Sequence, residues 1–345
     1  MNKILFISII IVLLIKTETV FSSNKIFYVD NIIVNNGSSL DSKQFLDKAF
    51  QTGFEKLVKK ILKNVDSNKV LDTELSEIKN LISNYQIIKD KEKFETTVNL
   101  SFSRKKINNF FYQKNILYAD IQETDIVLFP VLIKNENFYL FSENYFFNNW
   151  NKKTNGSKDE FINYFLPIEN LDDIQFINKN KNNLESIDVK NLLSNYDLKD
   201  YIFLIIKPSD KKMDIFLKGQ ISGNNIIKNF SILNETEKDS SYRNIIEELK
   251  MEISELWKSN NLIDVRTPSF LNVTLDINKK DDLLKLQESL NKIDLIESYY
   301  VFELDKDHVK IKIKYLGKID KIKSKLNENN IKVIIYQSKW KLKLI

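Results

Sequence analysis

The sequence has no cysteine, a single histidine (His308), six glycines and four prolines among its 345 residues. Each shortage excludes a kind of chemistry. Without cysteine there are no disulfides, no thiolate metal centres and no cysteine nucleophile. One histidine rules out a self-contained two-histidine metal site and makes any Ser-His-Asp arrangement depend on His308 alone. Six glycines leave little room for loops that cradle phosphates. No phosphate loop, dinucleotide fingerprint, zincin helix or nucleophile elbow occurs in the chain. What remains is ordinary for a folded protein: 43% hydrophobic and 29% charged residues, enough apolar side chains to exclude wholesale disorder. The formal charge of +5 is too mild to imply a nucleic-acid partner.

The first residues suggest a compartment. Met1-Asn2-Lys3 gives a positive start, Ile4 to Ile15 is apolar but for Ser8, and Val20-Phe21-Ser22 places suitable residues before a cleavage point. This pattern predicts a signal peptide over residues 1–22 and a periplasmic protein. Twelve helical residues rise about 18 Å, against a hydrocarbon core of about 30 Å, which favours cleavage over a retained inner-membrane anchor. No other stretch approaches a membrane span. An exported chain without cysteine depends on packing alone, and a chain of this length can supply it.

The patterning predicts a multi-domain α+β protein made of small mixed α/β sandwiches. An N-terminal α+β domain covers residues 23–118. It contains a long helix from about Asp41 to Lys63, whose apolar face includes Phe45, Ala49, Phe54, Leu57 and Ile61, and a strand in which Phe94, Thr96, Val98, Leu100 and Phe102 alternate with polar residues. A middle mixed α/β domain covers residues 119–262. Its continuous apolar runs, Ile126–Ile133 and Tyr201–Ile206, read as buried strands. Residues 268–345 give the order β-α-β-β-α-β, with one final strand from Ile331, which predicts a ferredoxin-like domain.

Catalytic candidates are poor. His308 stands beside Asp305 and Asp307 in a turn, where a weak metal site is conceivable but a turn of solvated polar residues is the favoured reading, so no metal is assigned. Asp172-Asp173 and Glu247-Glu248 are neighbours on helices and point in different directions. Asp172 and Asp173 suit a helix N-terminus. Neither a catalytic residue nor a cofactor is assigned, and no small-molecule substrate is evident. Binding candidates are better. Lys310, Lys312 and Lys314 alternate with Val309, Ile311 and Ile313, and Lys339, Lys341 and Lys343 alternate with Trp340, Leu342 and Leu344, so the two sets are expected on one exposed sheet surface. Phe147, Asn149 and Trp150 lie in an aromatic cluster that is a second candidate contact patch, with core packing as the competing reading.

The order of several segments resembles a known family. The opening strand, Ala49 and Phe54-Glu55-Lys56-Leu57-Val58 in the long helix, and Val98-Asn99-Leu100-Ser101-Phe102 precede Asp125-Ile126-Val127-Leu128-Phe129-Pro130-Val131. The tryptophan loop at Trp150 and Leu166-Pro167…Leu171-Asp172-Asp173 follow. This is similar to the exported proteobacterial family termed domain of unknown function 2066. Lys63-Asn64 stands where that family usually has glycines, and a second tryptophan near Trp150 is missing. The family carries no established activity, so the resemblance implies export and no catalytic residue. The middle segment is also similar to small α/β domains of the Tol translocation protein and the curli secretion lipoprotein, which act through protein contacts. The expectation is a non-enzymatic periplasmic binding or adaptor protein whose partner is another envelope protein. The alternative is an inner-membrane-tethered protein with its lysine-lined sheet facing lipid.

Overall fold

The computed structural model describes residues 26–34, 41–90, 95–120, 124–152, 161–193, 196, 199–234, 239–336 and 339–345. The signal peptide expected at 1–22 lies outside them. The architecture is α+β, with helices and several small sheets.

The first segment comprises β1 (Tyr28–Ile33), α1 (Ser42–Ile61), α2 (Asn64–Ser67), α3 (Leu75–Leu81), β2 (Ile82–Asp90), β3 (Glu95–Phe102) and α4 (Arg104–Lys114). The three strands form an antiparallel sheet in the order β1-β3-β2. A capping box opens α1: the Gln44 N–H donates to Asp41 Oδ1 at 2.7 Å, and the Asp41 N–H donates to Gln44 Oε1 at 3.3 Å. The apolar stripe of α1 is buried on the sheet. Gly53 permits the close approach, because a Cβ there would lie 2.3 Å from Leu100 Cδ1.

After β4 (Tyr118–Ala119), the middle segment runs β5 (Thr124–Lys134), β6 (Asn137–Tyr139), α5 (Tyr145–Asn149), β7 (Ile162–Phe165), α6 (Leu171–Lys179), α7 (Val189–Leu192), β8 (Asp200–Ser209), β9 (Lys212–Ile221), β10 (Asn224–Leu233) and α8 (Asp239–Asn260). The sheet order is β10-β9-β8-β5-β6, with β5 and β8 parallel and β7 also parallel to β5. Apolar side chains cover both of its faces. Ile126, Leu128, Ile202 and Leu204 pack with Ile245, Leu249 and Ile253 of α8, while Val127, Phe129, Phe203 and Ile205 pack with Ile177, Leu184 and Leu192 on the other side. That is why these strands read as unbroken apolar runs.

The last segment contains β11 (Leu262–Ile263), which pairs with β4, then β12 (Ser269–Asp276), α9 (Asp282–Asn291), β13 (Ile296–Leu304), β14 (His308–Tyr315), α10 (Ile319–Glu328), β15 (Ile331–Tyr336) and β16 (Lys339–Leu344). Where one final strand is expected there are two. Ile331 and Val333 in β15, and Trp340, Leu342 and Leu344 in β16, each supply an alternating apolar set for the same core. The sheet order is β13-β14-β12-β16-β15, and β16 runs parallel to β12. A ferredoxin-like sheet closes instead with an antiparallel strand at that place, so the βαββαβ order continues here into a different sheet.

The three-domain division of the sequence also differs from the contacts. Residues up to Tyr118 and residues Leu262–Ile345 form one compact unit, and Ala119–Asn261 forms the other. One continuous cluster of buried side chains runs through the first and last segments. An ion pair between Arg104 Nη1 and Asp294 Oδ2 at 3.7 Å and a hydrogen bond from Arg266 to Asn115 also join them.

Candidate binding face of the C-terminal sheet

Alternation along β14 divides the sheet into two unlike faces. Val309, Ile311, Ile313 and Tyr315 are buried with Leu286 and Leu290 of α9 and Ile322 and Leu326 of α10. The other face carries His308, Lys310, Lys312 and Lys314. Strand register brings Lys341 of the second set onto that face as well: Thr274 of β12 stands opposite Lys310 of β14 on one side and opposite Lys341 of β16 on the other.

The face is not a plain positive row. Lys310 Nζ lies 2.7 Å from both carboxylate oxygens of Glu303, Lys314 Nζ lies 2.8 Å from Glu297, and Lys341 Nζ lies 3.3 Å from Asp276. The Lys310 ammonium, with a smaller contribution from His308, holds the Glu303 carboxyl below its usual range. Lys312 differs. Its ammonium sits 4.6 Å from the centre of the Phe270 ring and 6.0 Å from that of Tyr300, within cation–π reach of the first and at the limit for the second. Phe270 is 53% exposed and Tyr300 48%, so the centre of the face is a cation framed by two accessible aromatic rings.

The other predicted patch is core. Trp150 is fully buried and packs edge-on to Tyr164 at 5.5 Å, and Phe147 packs edge-on to Phe141 at 5.5 Å. Asn149 donates from Nδ2 to the Tyr145 carbonyl at 2.8 Å within its own helix. A short helix in a sheet protein buries its aromatic side, and this one faces the middle core. Phe147, Asn149 and Trp150 therefore offer no exposed patch.

The acidic residues also have structural partners. Asn170 caps α6 by accepting from the Asp173 N–H at 2.8 Å, with Asp172 and Asp173 in the first turn. Burial raises the Asp173 pKa, partly offset by the hydrogen bond from Asn170. Asp200 is raised by burial as well, although the Ser222 N–H at 2.9 Å and the Thr124 hydroxyl at 3.4 Å support its charged form. In a cleft beside Asp188, Lys190 and Tyr201, Lys218 is engaged, since its Nζ donates to the Ile187 carbonyl at 2.8 Å.

Sequence reasoning missed Phe270, Tyr300, Glu297 and Glu303 as members of the face. Phe270 was legible, since it keeps the polar parity of β12. The β13 residues were not, because the strand shifts register between Ile296 and Ser298 and again between Val301 and Glu303. Among the described residues, no helix is long and apolar enough to cross a membrane. No protein-family model, curated protein or solved structure matches the chain.

Proposed function

We propose that the protein is a non-enzymatic binding component of the cell envelope that meets an acidic protein surface through the open face of its C-terminal sheet. The observation that carries this reading is Lys312 held between the half-exposed Phe270 and Tyr300 rings. Accessible aromatic rings are enriched at protein contact surfaces, and Lys312 adds a positive charge between two of them. The carboxylates of Glu297, Glu303 and Asp276 on the same face favour a protein partner over an anionic lipid surface, which a mixed-charge face attracts weakly. The envelope location rests on the signal-peptide pattern and the family resemblance.

The test is photo-crosslinking in intact cells, with the crosslinker placed at Asn272 on the face and at Lys292, remote from it in sequence, as control. A discrete adduct from position 272 that disappears with Lys312→Glu, in protein of unchanged thermal stability, is the expected result. Equal crosslinking from both positions, or adducts unaffected by Lys312→Glu, would overturn the reading. Retention with membranes after salt washing would favour the tethered alternative.

A further inference from the structure

The lone histidine belongs to a group that sequence spacing conceals. The β13–β14 hairpin reverses at Asp305–His308, where the Asp305 N–H donates to the His308 carbonyl at 2.9 Å. Tyr300 opposes Lys312 and Val301 opposes Ile311, but Glu303, not Phe302, opposes Lys310. This bulge absorbs Phe302 and turns Glu303 onto the face that carries His308. As a result His308 Nε2 lies 3.2 Å from Asp305 Oδ2 and 3.6 Å from Glu303 Oε1, and all three ligand atoms lie within 4.8 Å of one another. A tetrahedral ion with bonds of about 2.1 Å holds its ligand atoms roughly 3.4 Å apart. The two histidine separations straddle that value. The side chains of His308, Asp305 and Glu303 are 33%, 43% and 45% exposed, so an ion and its waters have access.

We propose that Glu303, Asp305 and His308 form a binding site for a divalent transition-metal ion, with zinc as the best fit and water completing its shell. This departs from the expectation of a plain polar turn. One imidazole nitrogen with two carboxylates suits zinc and its neighbours in the transition series, whereas magnesium and calcium favour oxygen-only shells. Lys310 is a competitor within the site, because its ammonium bonds both oxygens of Glu303 at 2.7 Å. An exposed ion pair of this kind is weak, so an incoming dication displaces the ammonium, with some loss of affinity.

Having one histidine makes the test direct. The imidazole C–H signals of the full chain come from His308 alone, and they are followed by NMR as zinc chloride is added, with affinity measured by competition against a chromogenic chelator. The expected result is a shift that saturates at one zinc per chain, is lost in His308→Ala, is weakened at least tenfold in Asp305→Asn, and survives millimolar magnesium. Lys310→Met is expected to tighten binding several-fold by releasing Glu303, a gain that misfolding does not produce. An imidazole signal unmoved by millimolar zinc, zinc binding undiminished in His308→Ala, or weaker binding in Lys310→Met would overturn the assignment.

Discussion

β8 and β14 are interior strands of two sheets, and their contrast explains much of the molecule. In β8 the five consecutive residues Ile202, Phe203, Leu204, Ile205 and Ile206 are all buried, with even and odd positions contributing to separate cores. In β14 only Val309, Ile311, Ile313 and Tyr315 are buried, and every intervening side chain is accessible. The number of apolar residues in a strand thus reports how many of its faces are covered. A sheet covered twice has no surface to offer a partner, whereas a sheet covered once presents its other face to whatever binds it.

Substitutions in the two strands sharpen that contrast. The largest expected effect is Leu204→Lys, which puts an unpaired charge where neither face meets water; the middle unit should fail to fold, seen as loss of cooperative denaturation and rapid proteolysis. Lys312→Leu, on an interior strand of the open sheet, should fold normally. Next comes Trp150→Ala, expected to destabilise the middle unit by about 3–5 kcal/mol in urea titration because it empties a fully buried site. A smaller effect concerns pH. Burial raises the Asp200 pKa above its unfolded value of 3.8, so folded Asp200 holds its proton more tightly, and its contribution to stability falls as pH rises from 3.8 through the raised value. Asp200→Asn should remove that component, so wild type loses stability relative to the variant across this window and the difference is level above it. Smallest is Phe270→Ser on the open face, expected within about 0.5 kcal/mol of wild type in the same titration, yet weakening the crosslink from position 272. A loss of several kcal/mol there would mean that the face is covered after all.

Much of the fold was legible because apolar periodicity reports burial directly. The long helix at Asp41, the buried runs at Ile126 and Tyr201, and the alternation of β14 all follow from that rule. Two features were not legible. The split of the chain's last apolar stretch into β15 and β16 was hidden because both strands feed the same core, so their combined pattern resembles one element. The grouping of Glu303 with His308 depends on a bulge, and a bulge changes parity without leaving a compositional mark. The aromatic patch around Trp150 was open to either reading, since periodicity cannot tell a short buried helix from a short exposed one.

The parallel placement of β16 against β12 has a consequence for the order of events as the chain is synthesised. The middle unit is contiguous, Ala119–Asn261, and every contact it needs exists once residue 261 has emerged. The other unit opens before it and closes after it. Its sheet stays open along the edge of β12 until residues 339–344 have been made and inserted between β12 and β15. The early helices can pack on the β1-β3-β2 sheet at once, but the part of their shared core that residues 263–342 supply arrives only after the middle unit has been made. Pairing across such sequence distances is slow, and this interval is when the chain is most exposed to aggregation. A nascent chain halted before residue 339 should therefore contain a native middle unit beside a unit still dependent on chaperones.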